Sequence, residues 1–462
     1  MKLTNIIIIS AVGASAALAL PGCNMYGNFK MSKQSELTAE YTEALRQAPD
    51  SMAFGNMAWQ QVFTDPVLAD LINQALLNNT NLQNAKLNVD IAHAQLKGAR
   101  LSFLPSVALA PNGSVSHFEN GGWTRSYQIP LSVSWEVDIF GRLLNSKRAA
   151  KENMLQSQAY AQAVRSQIIG AVANTYYGIA TLEQQLELSR STAENWKQTV
   201  QVMRDLKEAG RSTEVAVVQS EAQYYGILAS ITDLEVSLNQ LNNTMSLLLN
   251  VMPQTWAVEP LSMLPMPQIH RDAIPMRELA ARPDVQAAEH ALAAAYYNTA
   301  GARSAFYPSL NITANGGFTN MLGSMIVNPG KFFLNLAGQL TAPLFSRGSN
   351  IARLEAAKAQ QKQQLNNFEY TLMNASAEVS DAMTLYQKSV EKQQLVNVQV
   401  GDLTKAVDYT QELLKVGNAS TTYLDVLTAQ TNLLGAQTSE ITARNNQARA
   451  LINLYQSLGG GR

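Results

Sequence analysis

Few side chains in this chain can do covalent or metal chemistry: one cysteine, Cys23, and four histidines, His93, His117, His270 and His290. A lone thiol closes no disulfide within one chain, and it assembles no Cys-rich zinc site or CxxC redox pair. The histidines lack ligand-type spacing, which makes them surface or core residues. No phosphate-binding glycine loop, HExxH or GxSxG occurs, so the sequence offers no enzyme active site and no dissociable cofactor. Lys+Arg 34 against Asp+Glu 35 gives a formal net charge of -1, which leaves no basic surface for nucleic-acid phosphates. What remains is the chemistry of a single thiol and the electrostatics of scattered acids and bases.

Met1-Lys2-Leu3-Thr4-Asn5 is a positively charged start, and Ile6 to Leu20 is an apolar stretch too short for a comfortable membrane span. Residues 1–22 are expected to be an export signal. Cys23 follows in Leu20-Pro21-Gly22-Cys23, which resembles the lipobox of bacterial lipoproteins. That resemblance implies a covalent lipid on Cys23 as the first mature residue, with each buried CH₂ worth about 0.8 kcal/mol of membrane affinity.

The elements that must carry these residues are legible from proline and from periodicity. No proline lies between Pro130 and Pro253 or after Pro343, which leaves two long helical tracts. In the first, Val172, Ile179, Leu186, Ala193 and Val200 recur every seven residues, as do Val217, Tyr224, Ile231, Leu238 and Met245. Leu427, Leu434, Ile441, Ala448 and Tyr455 repeat the pattern near the C-terminus. Each tract breaks once, at Gly210 and at Gly417, where glycine suits a helix C-terminus and the Ser or Thr that follows suits an N-cap. Two helical hairpins are expected, 142–209 with 212–250 and 347–416 with 420–456, their longer helices about 100 Å at 1.5 Å per residue.

The chain is also duplicated. Ala99-Arg100 and Phe103-Leu104-Pro105-Ser106 recur as Ala302-Arg303 and Phe306-Tyr307-Pro308-Ser309. Repeat 1 is placed at 65–252 and repeat 2 at 282–457, joined by a linker at 253–281, preceded by a tether at 23–64 and followed by a tail at 458–462. Within each repeat the period shifts to two: Tyr127, Ile129, Leu131, Val133, Trp135 and Val137 alternate with Gln128, Pro130, Ser132, Ser134 and Glu136. The strand regions are 105–139 and 308–345, two strands in each. Gly141 opens the helix after its strand, and Pro105 and Pro308 start strands after helices.

Four such strands could form a soluble sheet, or part of a membrane barrel. With no apolar helix-length run after the signal, a membrane span requires a closed β-barrel. Four strands cannot close, two copies would give a filled eight-stranded barrel, and three would give twelve strands around a lumen.

Trp135-Glu136-Val137-Asp138-Ile139-Phe140-Gly141-Arg142, Arg282-Pro283-Asp284-Val285 and Tyr423-Leu424-Asp425-Val426-Leu427 resemble signatures of the TolC-like outer-membrane efflux family. With the duplication and Cys23, the chain is most similar to its acylated branch, which serves resistance-nodulation-division pumps. The resemblance implies a mainly α protein with a membrane β-barrel. In a homotrimer, four strands per chain would form a 12-stranded barrel continuous with a long α-helical barrel. It further implies a lipid-anchored channel in the outer membrane of a Gram-negative bacterium, extending into the periplasm, with a periplasmic adaptor and an inner-membrane pump as partners. The family narrows its periplasmic aperture with acidic rings, and Asp425 matches one such position. Thr428 and Ala216 stand where further acids are common.

Bland readings stand beside these. Asp425 also suits a helix N-terminus. Trp135 suits either a membrane interface or subunit packing, and Tyr176-Tyr177 and Tyr296-Tyr297 suit helix packing better than a substrate site. Two other functions fit the same elements: a type I protein-secretion duct, which the lipobox disfavours, and a periplasmic coiled-coil scaffold with a soluble sheet.

Overall fold

The computed structural model describes residues 27–31, 35–46, 57–117, 119, 122–261, 276–322, 325–416 and 422–461. The export signal, Cys23, His270, Gly417 and parts of the tether and linker lie outside the described residues. The elements run α1 Glu36–Ala44, α2 Trp59–Val62, α3 Pro66–Asn78, α4 Thr80–Leu101, β1 Ser106–Leu109, β2 Asn112–Ser116 and β3 Thr124–Val137. There follow α5 Arg142–Glu208, α6 Glu214–Leu248, α7 Met276–Ala280, α8 Pro283–Ser304, β4 Ser309–Leu322, β5 Met325–Thr341, α9 Ser349–Lys415 and α10 Tyr423–Ser457. No helix among the described residues is long and apolar enough to cross a membrane.

The chain divides into two units. The first takes residues 88–157 and 287–368 together with 27–31. Its sheet is antiparallel in the order β1-β3-β4-β5, with β2 also on β3. The first of the two strands expected in 105–139 is broken in two, although β1 and β2 keep one register on β3: Leu109 faces Leu131 and Asn112 faces Gln128. The reason is that Pro111 and Pro130 fall on neighbouring rungs and neither has an N–H to donate. One bond survives there, from the Ala110 N–H to the Pro130 carbonyl at 3.2 Å.

On the other side of β3, Pro130 faces Gly317 of β4. A Cβ on residue 317 would lie 2.0 Å from the Ile129 carbonyl oxygen, so only glycine admits that close approach. Nearer the far end, β4 bulges between Thr319 and Met321. There the buried Asn320 side chain replaces the ladder, accepting from the Tyr127 N–H at 2.7 Å and donating to the Arg125 carbonyl at 3.0 Å.

The register sorts the faces. Ile129, Leu131, Val133 and Trp135 align with Phe318, Gly316, Ala314 and Ile312, and these with Phe332, Leu334, Leu336 and Gly338. Successive side chains alternate faces, so one face is apolar while the other carries Ser132, Ser134, Asn311, Thr313, Asn335 and Gln339. The apolar face is not covered: Leu334 is 72% exposed and Leu336 73%.

The second unit takes 33–87, 158–286 and 369–462. Its core joins Phe63, Leu68 and Ile72 to Ile169, Val172, Tyr176 and Ile179 of α5, Met245 and Leu249 at the end of α6, and Ile452 and Tyr455 of α10. The seven-residue series in α5 is buried at Val172, Ile179, Leu186, Ala193 and Val200 alike, as a helix seam demands. Asp65 caps α3 by accepting from the N–H groups of Val67 and Leu68 at 2.7 and 3.2 Å, with Pro66 in the first turn. Its other oxygen accepts from the Tyr176 hydroxyl at 2.7 Å, and that hydroxyl accepts the Glu259 N–H at 2.9 Å.

The Arg-Pro-Asp-Val segment is built around Arg282, whose side chain is 7% exposed. Its guanidinium grips Asp284 at 3.0 and 2.7 Å and Glu378 at 2.6 Å, and donates to the Ser457 carbonyl at 2.8 Å. One planar fork thus ties the start of α8, the middle of α9 and the end of α10. Asp284 and Glu378 remain half-exposed, so losing the fork should cost less than the about 3–5 kcal/mol of a fully buried pair. Arg282→Ala is expected to destabilise by ~2–3 kcal/mol, the scale of hydrogen bonds to charged groups. Arg282→Lys should recover only part, because a point charge cannot span three acceptor groups; thermal unfolding followed by circular dichroism measures both.

Candidate functional site

Two places concentrate the residues singled out by sequence. The first is the junction from β3 into α5, all within the first unit. The turn is possible because Gly141 sits at φ 70, a region closed to most side chains. Its carbonyl then accepts the Asn145 N–H at 2.9 Å, starting the helix. The Asp138 carboxylate accepts the Leu144 N–H at 2.8 Å, so an acid meets the positive end of the α5 dipole. Glu136 and Arg142 clasp across the turn in a two-pronged ion pair, with Arg142 Nε 2.8 Å from Glu136 Oε1. Trp135 Nε1 donates to the Phe103 carbonyl at 2.9 Å, and Phe140 stacks on Tyr307 with centroids 5.0 Å apart.

Every distinctive residue of the Trp-Glu-Val-Asp-Ile-Phe-Gly-Arg motif therefore either turns the chain or fastens the turn. Pro105 and Pro308 stand one residue before β1 and β4. Trp135 combines its bond to Phe103 with 40% exposure, leaving an indole partly free to meet surrounding molecules. The second repeat turns differently, with Arg347 at φ 51 and Gly348 at φ 80.

The second place is the pair of hairpin ends in the second unit. Gly210 has φ 71. Its N–H reaches the Lys207 carbonyl at 2.9 Å and the Arg211 N–H reaches the Leu206 carbonyl at 2.8 Å, the two bonds that end a helix on a left-handed residue. Thr213 caps the returning helix through the Ala216 N–H at 3.3 Å. Across this hairpin run ion pairs Arg190–Glu235 at 2.7 Å, Arg204–Glu221 at 2.6 Å and Lys207–Glu214.

In the other hairpin, Asp425 lies in the first turn of α10. Its Oδ2 accepts from the Thr422 N–H at 2.7 Å and from the Thr422 hydroxyl at 2.8 Å. The backbone bond first, and the hydroxyl second, hold this carboxyl below the usual carboxylate range. Capping and an exposed charge coexist in Asp425: one oxygen caps, and the side chain as a whole is exposed. Thr428 adds no acid there; its hydroxyl bonds back to the Leu424 carbonyl at 2.7 Å.

Among the described histidines His93 is exposed, while His290 and His117 have structural partners. His290 Nδ1 lies 2.8 Å from Glu152, and His117 stacks on Trp123 at 4.9 Å. Burial raises the hydroxyl of Tyr176 above the usual phenol range and pushes that of Tyr177 up to about 12. Among the described residues no group of three His, Cys, Asp or Glu could hold a metal ion. Sequence reasoning missed Asp65, though Asp65-Pro66 before an apolar run is itself a helix-start signal. It also missed Arg148, which contacts Tyr297 and a residue far away in the chain.

Gly210 has open space where a Cβ would go, so a substitution there meets only the backbone penalty. Gly210→Ala is expected to destabilise by about 1–2 kcal/mol. Gly401→Ala, mid-helix and equally unobstructed, should stabilise by ~1 kcal/mol. Opposite shifts in thermal unfolding would establish that Gly210 is there for its φ.

The chain matches the family model for outer membrane efflux protein over residues 71–251 and 274–460. It is 30% identical over 464 residues to the cation efflux system protein CusC of Escherichia coli O6:H1, covering 96% of this chain and 97% of that one. It is 27% identical over 477 residues to the probable outer membrane lipoprotein SilC of Salmonella typhimurium, covering 100% and 99%. A crystal structure of CusC superposes with a TM-score of 0.82 at 28% identity, covering 88% of this chain and 95% of that one. The matched segments include both strand regions, both hairpins and the strand-to-helix junction, and the chain belongs to the outer membrane efflux protein family, the outer-membrane channels of efflux pumps.

Proposed function

We propose that this chain is the exit channel of a tripartite efflux pump, passing small molecules passively from a periplasmic adaptor and an inner-membrane pump to the exterior. The pump is taken to be of the resistance-nodulation-division class, and three copies of the chain pool their strands into one 12-stranded barrel. The observation that carries this is the sheet. It has an exposed apolar face, a face of hydroxyls and amides, and open edges at β1–β2 and at β5. A soluble scaffold would bury that apolar face on another layer, whereas a barrel turns it to lipid and its polar face to the lumen. A lipid on Cys23, supported by the lipobox resemblance and by the likeness to SilC, would tether the mature N-terminus to the same membrane. Energy must enter from the pump.

Asp425 is proposed as the periplasmic aperture. Three copies of an exposed carboxylate near a three-fold axis attract cations and repel anions. Because its capping bonds lower the carboxyl, the charge and the cap both persist as pH falls through the range where an ordinary aspartate, near 3.9, takes up its proton. Both are lost only below the lowered value.

Three outcomes test this reading. Purified protein in a planar bilayer should conduct as an oligomer, and an inert monomer would overturn the barrel. Asp425→Asn should reduce cation selectivity several-fold relative to Glu119→Gln, and unchanged selectivity would leave Asp425 as a helix cap alone. Mass spectrometry of the mature N-terminus should find Cys23 first and acylated; an unmodified start elsewhere would remove the lipid.

A further inference from the structure

Residues 27–31 alternate in burial, with Gly27, Phe29 and Met31 half-buried and Asn28 and Lys30 exposed. That is the period of an extended chain laid with one side on a surface, yet the segment pairs with none of β1–β5. Three side chains of the first unit hold it. Arg148 of α5 donates to the Gly27 carbonyl at 3.1 Å, and its guanidinium lies 5.6 Å from the centroid of Tyr297. The Tyr297 hydroxyl accepts the Phe29 N–H at 3.0 Å. The Phe29 ring meets Tyr296 edge to face at 5.7 Å, and Tyr296 meets Tyr297 in the same way at 5.4 Å. Two backbone groups are thus held by polar atoms and one ring by aromatic packing, so the segment is gripped at more than one point.

The position of this grip gives it a use. Arg148 lies six residues beyond Arg142, about 9 Å along α5 from the strand-to-helix junction. Three residues lie between Cys23 and Gly27, and the four chain steps between them span at most about 14 Å. Among the described residues, the next along the chain with a side-chain bond is Ser35, whose hydroxyl donates to Glu369 at 2.6 Å. A tether first held there would let Cys23 range over about 43 Å.

We infer that Arg148, Tyr296 and Tyr297 form a docking pad for this chain's own segment 27–31, holding the acylated Cys23 within reach of the bilayer beside the barrel. The inference rests on the acylation proposed above. Tyr297 and Arg148 grip the backbone, and Tyr296 reads the ring of Phe29.

Lys30 supplies the test, because it places a trypsin site inside the docked stretch and proteolysis requires a segment to leave its surface. Full-length protein in detergent micelles is treated with trypsin, and the N-terminal peptide ending at Lys30 is timed by mass spectrometry against cleavage after Arg46. Phe29→Ala, which alters only the segment, and Arg148→Gln with Tyr297→Phe, which alters the pad, should each speed release at least about tenfold, a loss of 1.4 kcal/mol of protection. Cleavage after Arg46 should stay unchanged. Equal release from native and both variants would overturn the pad. The mass of the same peptide reports the acyl group separately, so an unmodified Cys23 would defeat the lipid reading while the release rates still judge the docking.

Discussion

A bilayer offers no hydrogen bonds to a backbone, so every N–H and C=O that enters it must be paired within protein. That constraint governs the sheet of this chain. Its strands leave ladder groups open at β1–β2 and at β5, and its exposed leucines face outward where water would be the wrong solvent. Those open groups in a single copy are what supports the proposed pooling of strands between copies. The same constraint explains why departures from regular pairing are repaired so locally. Pro111 and Pro130 remove donors on neighbouring rungs, and Asn320 lends its amide to Tyr127 and Arg125 where β4 bulges.

The helices answer a different demand, that of long elements in water. Their seams are apolar every seven residues, and their ends are terminated by residues chosen for conformation or capping: Gly210, Thr213, Thr422 and Asp65. Between the two regimes lies the turn at Gly141, where strand geometry must become helix geometry within a few residues. The acid and the base flanking that turn, Glu136 and Arg142, clasp each other rather than a ligand. This accounts for a recognisable motif in a family of outer-membrane channels.

Several of the charges fasten segments distant in sequence. Arg282 joins three helix regions, and Asp65 links a helix start, a tyrosine of α5 and the linker at Glu259. Asp425 differs because its partner is local. A carboxylate satisfied by its own helix cap can remain exposed and ionised without a cation.

Much of this was determined by sequence alone. Periodicity of seven and of two, the positions of proline, and glycine followed by Ser or Thr depend only on local backbone chemistry, so the helices, strands and breaks could be located from residue types. The duplication and the motif at 135–142 pointed to the family by their resemblance to its signatures. What the sequence left open required distant residues to meet. Nothing near Arg282 announces Glu378 and Ser457, nothing near Tyr176 announces Asp65, and nothing near Tyr296-Tyr297 announces Phe29. The break between β1 and β2 was also hidden, because Pro111 reads as an ordinary turn residue until the register sets it beside Pro130. Local propensity is written along the chain, but hydrogen-bond partners and strand register are set by packing between segments far apart in it, and only the tertiary structure decides those.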